Sequence, residues 1–281
     1  MRISVLEAGR IAFSDFRLGG PTTARSWAKA GGSPVTAADV TVDTFLKIRL
    51  SELLPKAGWL SEETVDDEAR LTRRYVWVVD PIDGTRAFLS GDPDWAVCAS
   101  LLCEGEPVIG LVYAPAHEKI YSAISGAGAF ITQAKIGDDE SSPSARPSAI
   151  SMSLQSPSVS ILENARVAGP KPMQEALNRF TPIMQMPKVP SLALRIARIA
   201  EGSLDGALIS SDSRDWDIAA SDLILREAGG RVMTLDGEIP RYNRVAPVHG
   251  VLYASGQPLL EPLGHAMRNW REGVVATRSR G

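Results

Sequence analysis

Residues 75–85 read Tyr75-Val76-Trp77-Val78-Val79-Asp80-Pro81-Ile82-Asp83-Gly84-Thr85, and we expect the rest of the chain to be arranged around them. The β-branched and aromatic run from Tyr75 to Val79 is typical of a buried strand. Pro81 has no amide hydrogen to give to a neighbouring strand, so the strand is predicted to end at Asp80. The first carboxylate of the stretch is therefore expected at a strand end.

A second carboxylate, Asp83, follows three residues later and directly precedes a glycine. Gly84 and Thr85 allow a tight turn that opens onto a short helix, predicted from Thr85 to Leu89. Two carboxylates beside a helix N-terminus suit a hard divalent cation on one side and a phosphate on the other. A purely structural alternative is a turn in which Asp83 caps the short helix.

The composition is that of an ordinary globular protein. The chain has 281 residues, enough for one large domain or two moderate ones, with 44% hydrophobic and 22% charged residues. A net charge of −3 gives no reason to expect a nucleic acid polymer or an anionic membrane as partner. Residues 1–16 lack the apolar core of a signal peptide, and no apolar run approaches a membrane span. Cys98 and Cys103 match neither a disulfide framework nor a zinc site, so a reduced cytoplasm is the expected compartment.

The pattern of elements predicts two domains, 1–150 and 151–281. The stretch 134–159 is interpreted as the link, because it is rich in serine, proline and acidic residues and shows no periodicity. A strand meander is predicted from Asp94 to Ala123, and Gly126, Gly128 and Phe130 are expected to lead into one more edge strand. Helical spacing and cap signals predict helices over residues 1–16, Pro34–Leu53, Met173–Phe180, Leu192–Glu201 after the cap Ser191, and Asp217–Ala228.

Several acidic residues outside residues 75–85 can be interpreted together with the two carboxylates of that stretch. Asp39 follows Thr36 by three residues and would complete a capping box at a helix start. Glu62 and Glu63 diverge because they are neighbours, and Asp217 is placed to cap a helix. Together the acids could instead form an oxygen-only cluster that holds two or three Mg²⁺ ions, made of Asp39, Glu63, Asp80, Asp83 and Asp217. Such a cluster needs its cations, since like carboxylates in one site repel one another.

Transfer of phosphate to water is the chemistry that this cluster suits. The metal ions would neutralise the phosphate oxygens and lower the pKa of a bound water. A Ser-His-Asp hydrolase does not compete, because His117, His249 and His265 stand outside these motifs and no G-x-S-x-G occurs.

The chain resembles the inositol monophosphatase family, whose members are magnesium-dependent, lithium-sensitive phosphomonoesterases. The resemblance rests on five stretches in order: Pro34–Asp39, Glu62-Glu63, Asp80–Thr85, Trp216–Ala220 and Glu227–Gly230. It extends from about Gly9 to about Ala254. It implies an α+β fold layered α-β-α-β-α, with an antiparallel N-terminal sheet, a smaller C-terminal α/β domain and a homodimer.

The resemblance also implies a role for each site residue. Glu63, Asp80 and the Ile82 carbonyl would hold a first metal ion, and Asp80, Asp83 and Asp217 a second. Thr85, hydrogen-bonded to Asp39, would orient the attacking water and help to deprotonate it. The N–H groups of Gly84 and Thr85 would hold the phosphate. The implied catalytic side chains are those of Thr85, Asp39 and Glu63.

The expected substrate depends on two positions. Ser210 stands seven residues before Asp217, where inositol-binding members of the family carry an acidic residue. Arg195 and Arg198 lie on one predicted helix face, which is either solvated or placed so that Arg195 holds a second phosphate. The family's 3′(2′),5′-bisphosphate nucleotidases of the CysQ type carry a lysine that aligns with Arg195. The resemblance therefore favours hydrolysis of adenosine 3′,5′-bisphosphate to AMP, with inositol 1-phosphate or another polyol phosphate as the alternative.

Two further functional interpretations are weaker. A haloacid-dehalogenase-type phosphatase also has an Asp-Gly-Thr motif, but its nucleophilic aspartate would fall at Pro81, which cannot attack phosphate. An inactive magnesium-binding scaffold would have lost Thr85, Asp39 or a metal ligand, and none is replaced. The stretch Gly137–Ser148 is longer than the family's usual link and says nothing about the chemistry.

Overall fold

The computed structural model describes residues 1–29, 31–136 and 151–278, with side chains up to residue 271. The predicted boundary at residue 150 and the stretch Gly137–Ser148 lie outside the described residues. The helices are α1 (Arg2–Asp15), α2 (Ala37–Leu53), α3 (Thr85–Ser90), α4 (Lys171–Asn178), α5 (Leu192–Ala200), α6 (Asp215–Glu227) and α7 (Leu260–Arg278). The strands are β1 (Ser26–Ala28), β2 (Pro34–Thr36), β3 (Gly58–Ser61), β4 (Tyr75–Asp83), β5 (Ala96–Cys103), β6 (Glu106–Ala114), β7 (Lys119–Ile124), β8 (Ala129–Gln133), β9 (Ser151–Ser153), β10 (Arg166–Ala168), β11 (Met184–Gln185), β12 (Gly206–Ile209), β13 (Gly230–Thr234) and β14 (Leu252–Gly256).

Two large sheets carry the fold. The first has seven strands in the order β3-β4-β5-β6-β7-β8-β9, and the second has five in the order β11-β10-β12-β14-β13. The first sheet is antiparallel except where β3 runs parallel to β4, so the predicted all-antiparallel sheet is wrong at this edge. β1 and β2 form a separate two-stranded hairpin that leads directly into α2.

Alternating side chains on each sheet define five layers. One face of the first sheet buries Trp77, Val79 and Val97 against α1 and α2. Its other face packs on α5 and α6, which also cover one face of the second sheet. The remaining face of the second sheet packs on α4 and α7. The predicted α+β fold with the layering α-β-α-β-α is therefore confirmed.

Several predicted boundaries are wrong for identifiable reasons. Residues 34–36 form strand β2, because Thr36 is the N-cap of α2 and the chain before an N-cap is extended. β4 continues through Pro81 to Asp83, because the register with β5 shifts between Asp80 and Asp83 and a bulge accommodates a proline. β8 is not the edge of its sheet, since β9 pairs with it from within the predicted link. Within the described ranges, none of the helices has the length and apolar composition needed to cross a bilayer.

Candidate active site

The site begins at Asp80, which lies on β4, next to the edge strand β3 of the first sheet. Its side chain is 1% exposed, and its Oδ1 accepts a hydrogen bond of 3.0 Å from the Ile82 N–H. Burial raises the pKa of Asp80 well above its ordinary value. Neighbouring charges raise it further, in the order Glu62, Asp83, Asp217 and Asp39. Asp80 is thus the carboxylate on which the other acids converge.

Asp83 connects the central strand to the second half of the chain. Its Oδ2 accepts hydrogen bonds from the Ser191 hydroxyl at 2.6 Å and the Ala193 N–H at 2.7 Å. Its Oδ1 accepts one from the Leu192 N–H at 3.2 Å. Burial raises the pKa of Asp83 to about 6, although these bonds act in the opposite direction. The structural alternative that Asp83 caps α3 is wrong, because Gly84 is the N-cap there and Asp83 binds the first turn of α5.

Asp217 faces Asp80 and Asp83 from the first turn of α6. Its Oδ2 accepts a hydrogen bond of 2.7 Å from the Arg214 N–H, in the N3 position of a capping box. Asp217 is therefore not the N-cap residue that the sequence predicts. Burial raises its pKa well above the ordinary value, and the charges of Asp83 and Glu62 add to the rise.

The two adjacent glutamates point in different directions. The charge of Glu62 acts on Asp80 and Asp217, so its carboxylate faces the aspartate cluster. Burial raises the pKa of Glu63 to about 7, and its charged neighbours are Glu62, Lys29 and Asp39. The geometry therefore favours Glu62, rather than the predicted Glu63, as the glutamate beside Asp80. A loop that leaves both glutamates solvated, the structural alternative for this stretch, is not what the structure has. Lys29 Nζ donates to Glu62 Oε1 at 2.8 Å and to Glu63 Oε1 at 2.7 Å.

Asp39 is fixed at the start of α2 by the predicted capping box. Its Oδ2 accepts hydrogen bonds from the Thr36 hydroxyl at 2.6 Å and the Thr36 N–H at 2.8 Å. Its buried Oδ1 has no hydrogen-bond partner among the described atoms. Burial raises the pKa of Asp39 to about 6.

The implied hydrogen bond between Thr85 and Asp39 is not formed. The Thr85 hydroxyl instead donates to the Ile82 carbonyl at 3.2 Å. This carbonyl is the oxygen that the resemblance assigns to a metal ion, and its second lone pair is left for a cation.

Arg195 does not have the role predicted for it. Its side chain is 7% exposed, and its guanidinium donates to the main-chain carbonyls of Val189 at 2.8 Å and Leu208 at 3.1 Å. These bonds use three of the five N–H donors of the guanidinium, which holds it in place at the wall of the cavity described below and leaves fewer donors for a second phosphate. Arg198 is not solvated either, since its Nη1 donates to Asp94 Oδ2 at 3.0 Å. Both arginines are structural because α5 is a central helix, covered by both sheets.

A cavity of about 570 Å³ opens beside Asp217 in the second half of the chain. Its wall includes Lys171 at the start of α4, Lys188 before α5, and the loop 210–213 between β12 and α6. Asp212 in this loop has the left-handed φ of +75°, which is uncommon outside glycine. The cavity adjoins the acidic cluster and is large enough for a small organic molecule.

Comparison with known proteins shows the family. A model of the inositol monophosphatase family matches residues 4–275. The chain belongs to the inositol monophosphatase family. Members are phosphoric monoester hydrolases, so the protein is an enzyme of that class, as predicted.

The relatives within this family carry different substrate names. A histidinol-phosphatase of Mycobacterium tuberculosis is 34% identical over 79% of this chain and 82% of that protein. An inositol-1-monophosphatase of Bacillus subtilis is 30% identical over 73% of each. A 3′(2′),5′-bisphosphate nucleotidase CysQ of Aggregatibacter actinomycetemcomitans is 29% identical over 77% of each. Among solved structures, the extragenic suppressor protein suhB of Bartonella henselae superposes with a TM-score of 0.75 at 26% identity, covering 95% of this chain and 96% of that chain.

The residues present fit the magnesium ion on which the inositol monophosphatase family generally depends. All the donors are oxygens, which is the preference of Mg²⁺. Asp39 keeps an unpaired buried oxygen, and the charges of the neighbouring acids raise the pKa of Asp80, so the site carries an excess of negative charge. Among the described residues, no group of three or more His, Cys, Asp or Glu side chains is already arranged to hold a metal ion.

Sequence reasoning missed three features of this family member's site. Lys29 could have been noticed only as a lone cation in a glycine-containing link, and nothing local ties it to residues 62 and 63. Lys171 and Lys188 lie 17 positions apart along the chain and meet the cavity only after folding. Asp212 lies two residues after Ser210. It was missed because the resemblance pointed only to the position seven residues before Asp217.

Proposed function

We propose that this protein is a Mg²⁺-dependent phosphomonoesterase that uses a metal-activated water to hydrolyse a small phosphorylated metabolite. One observation supports the proposal: Asp80 and Asp83 on β4 and Asp217 on α6 lie close enough for the charges of Asp83 and Asp217 to raise the pKa of Asp80, directly beside the turn at Gly84. Buried acids that repel one another are stable only with a compensating cation.

The assignment of ligands follows from which carboxylates face one another. Asp80 would contact two metal ions because it is central, with Glu62 and the Ile82 carbonyl on one side and Asp83 and Asp217 on the other. When bound, the ions neutralise phosphate charge and lower the pKa of a bound water. Glu63, the glutamate first expected here, is left to hold Lys29. Two or three ions remain a prediction.

The remaining roles belong to the protein's own groups. Gly84 has a φ of +92°, which leaves the N–H groups of the first turn of α3 facing outward for phosphate oxygens. Thr85 is proposed to orient the water, and the unpaired Oδ1 of Asp39 supports a role for Asp39 as acceptor of its proton. Release of the Thr85 hydroxyl from the Ile82 carbonyl would be required first.

The activity is tested by measuring phosphate release from a panel of phosphorylated metabolites with Mg²⁺ and with EDTA. We expect turnover only with Mg²⁺, and inhibition by Ca²⁺, whose looser coordination shell suits water activation poorly. Lithium inhibition, a homodimer and a cytoplasmic location remain predictions. Full activity in EDTA would contradict the proposal.

Thr85→Ala is the sharpest test of the water-orienting role. We expect turnover to fall by about 10²-fold, the lower range for a proton-transfer group, with nearly unchanged metal affinity. Thr85→Ser keeps the hydroxyl and is the matched control. Equal turnover of Thr85→Ala and wild type would remove Thr85 from the mechanism.

We further propose a 3′(2′),5′-bisphosphate nucleotide such as adenosine 3′,5′-bisphosphate as substrate. Arg195 lines the cavity but is held by main-chain carbonyls, so the support comes from Lys171 and Lys188 in the same cavity wall, where two ammonium groups would attract a second phosphate. The serine at position 210 leaves no acid at the position expected for inositol binding.

Asp212 supports a second candidate, because its carboxylate lines the same cavity. A phosphate ester that carries an amine or several hydroxyls, such as histidinol phosphate or inositol 1-phosphate, would use this carboxylate. The two candidate substrates are distinguished by comparing kcat/KM of the variants for each of them. Lys171→Ala with Lys188→Ala should selectively lower kcat/KM for the bisphosphate, whereas Asp212→Asn should selectively lower it for the amine or polyol ester.

A further inference from the structure

Lys29 is the cation that the acidic cluster holds in this structure. Its ammonium group donates to both Glu62 and Glu63, at 2.8 and 2.7 Å, which is the range of charge-assisted hydrogen bonds. One positive charge thus bridges two carboxylates at the edge of the proposed metal site.

The position of Lys29 is built by the fold. Lys29 follows β1 at the turn of the two-stranded hairpin, where its N–H donates to the Ser33 carbonyl at 2.8 Å and its carbonyl accepts from the Gly32 N–H at 2.8 Å. The returning strand β2 runs into Thr36, which fixes Asp39. The hairpin therefore carries the lysine on the same support that positions one of the proposed catalytic acids.

The surroundings make this contact more than a surface ion pair. The Lys29 side chain is 25% exposed, Glu62 24% and Glu63 only 7%. Partly buried pairs are screened less by salt than exposed ones. The ammonium group takes up a lone pair of Glu62 Oε1 and neutralises part of the carboxylate charge, so the carboxylate is less available to a metal ion while the contact lasts.

We propose that Lys29 is a tethered counter-cation that competes with the divalent metal for Glu62, so that metal binding requires the lysine to let go of this carboxylate. Glu63 remains its anchor, since it is the more buried of the two glutamates and accepts a hydrogen bond of 2.7 Å from Lys29. The competition weakens metal binding by the fraction of protein in which the lysine is engaged. The inference rests on the proposed function, because it assumes that Glu62 faces a metal ion.

The test measures metal binding without turnover. Free Mn²⁺ is followed by electron paramagnetic resonance as the metal is titrated into apo wild type, Lys29→Met and Lys29→Arg. Removal of the charge should tighten Mn²⁺ binding by on the order of ten-fold, since one charged hydrogen bond is lost from the competing state. Lys29→Arg keeps the positive charge, so its Mn²⁺ affinity should stay well below that of Lys29→Met. Lys56→Met, an exposed lysine away from the site, should not differ from wild type.

Thermal unfolding gives an independent readout. Lys29→Met should melt lower than wild type in EDTA, because the two glutamates lose their counter-charge, and should gain more from added Mg²⁺. Lys29→Gln, which keeps a hydrogen-bond donor, covers the case that the methionine variant does not fold. Unchanged or weaker Mn²⁺ binding without the charge would overturn the inference. Wild type that binds no Mn²⁺ at all would instead overturn the proposed function.

Discussion

At the scale of single residues, the protein buries the carboxyl group of Asp80 at a position where its charge lowers the stability of the metal-free fold. Asp80 is fully buried with its pKa raised well above normal, so the native state binds a proton more tightly than the unfolded chain. Stability from this group is present at low pH and is lost as the pH rises from the ordinary aspartate value toward the folded one. In the metal-free protein at pH 7, Asp80 therefore opposes folding.

Asp80→Asn should separate stability from function. Asparagine keeps the acceptor for the Ile82 N–H but removes the charge, so we expect the metal-free variant to be more stable by on the order of 1–2 kcal/mol. Turnover should fall by about 10³-fold, the loss typical of a main electrostatic group. Urea unfolding in EDTA and phosphate release with Mg²⁺ measure the two effects. Glu175→Gln on the surface of α4 is the control, and a less stable metal-free Asp80→Asn would contradict the argument.

Residue identity could be predicted from the sequence where the signal is local. The capping box of Thr36 and Asp39 and the Ser191 cap need only a three-residue spacing, and both are present. The choice between Glu62 and Glu63 depends on how the chain bends after β3. The hydrogen bonds of the Arg195 guanidinium depend on main-chain carbonyls six and thirteen positions away. Such details are set by tertiary packing, which local spacing does not encode.

At the scale of elements, the first turn of α5 is held by the carboxylate of β4. Ser191 accepts from the Leu194 N–H at 3.1 Å as N-cap and donates to Asp83 at 2.6 Å. One hydroxyl thus begins a helix and orients a proposed metal ligand. The sequence predicted the cap, but the second bond spans 108 residues and could not be read from spacing.

Ser191→Ala should destabilise the protein by about 2–3 kcal/mol. A lost N-cap costs about 1 kcal/mol, and a lost bond to a buried carboxylate costs about as much again or more. Urea unfolding in EDTA measures the change. Ser203→Ala is the matched control, since Ser203 is exposed just beyond the same helix and should cost under about 0.5 kcal/mol. Similar losses in both variants would show that Ser191 is not a special cap.

At the scale of the whole molecule, a polar group joins the first sheet to α5. Asp94 accepts hydrogen bonds from Arg198 on α5 and from His117 Nε2 at 2.8 Å. Burial raises the pKa of Asp94, but the bonds from His117 and Arg198 outweigh it and lower the pKa below its ordinary value. Stability from Asp94 is therefore present above the ordinary aspartate pKa and is lost as the pH falls through the lower folded value.

Asp94→Asn should weaken the dependence of the free energy of unfolding on pH in the acidic range. Between pH 5 and 7 the variant should be less stable than wild type, and the difference should shrink on acidification below about pH 4, where wild type loses the same interaction. The midpoint of urea unfolding from pH 3 to 7 measures this. A difference that stays constant across the range would assign the cost to packing rather than to charge.

The shared helical layer has a consequence for how the chain comes off the ribosome. A β-carbon at Gly110 would lie 2.5 Å from the Ala220 carbonyl oxygen, so α6 rests directly on the backbone of β6. The strands of the first sheet are synthesised well before residues 192–227, which supply the helices that cover their inner face. Until those helices emerge, an apolar sheet surface has nothing to pack on, and a nascent chain stalled near residue 150 would expose it to chaperones and to other chains. Folding of the first half of the chain is therefore completed only after the second half has been translated.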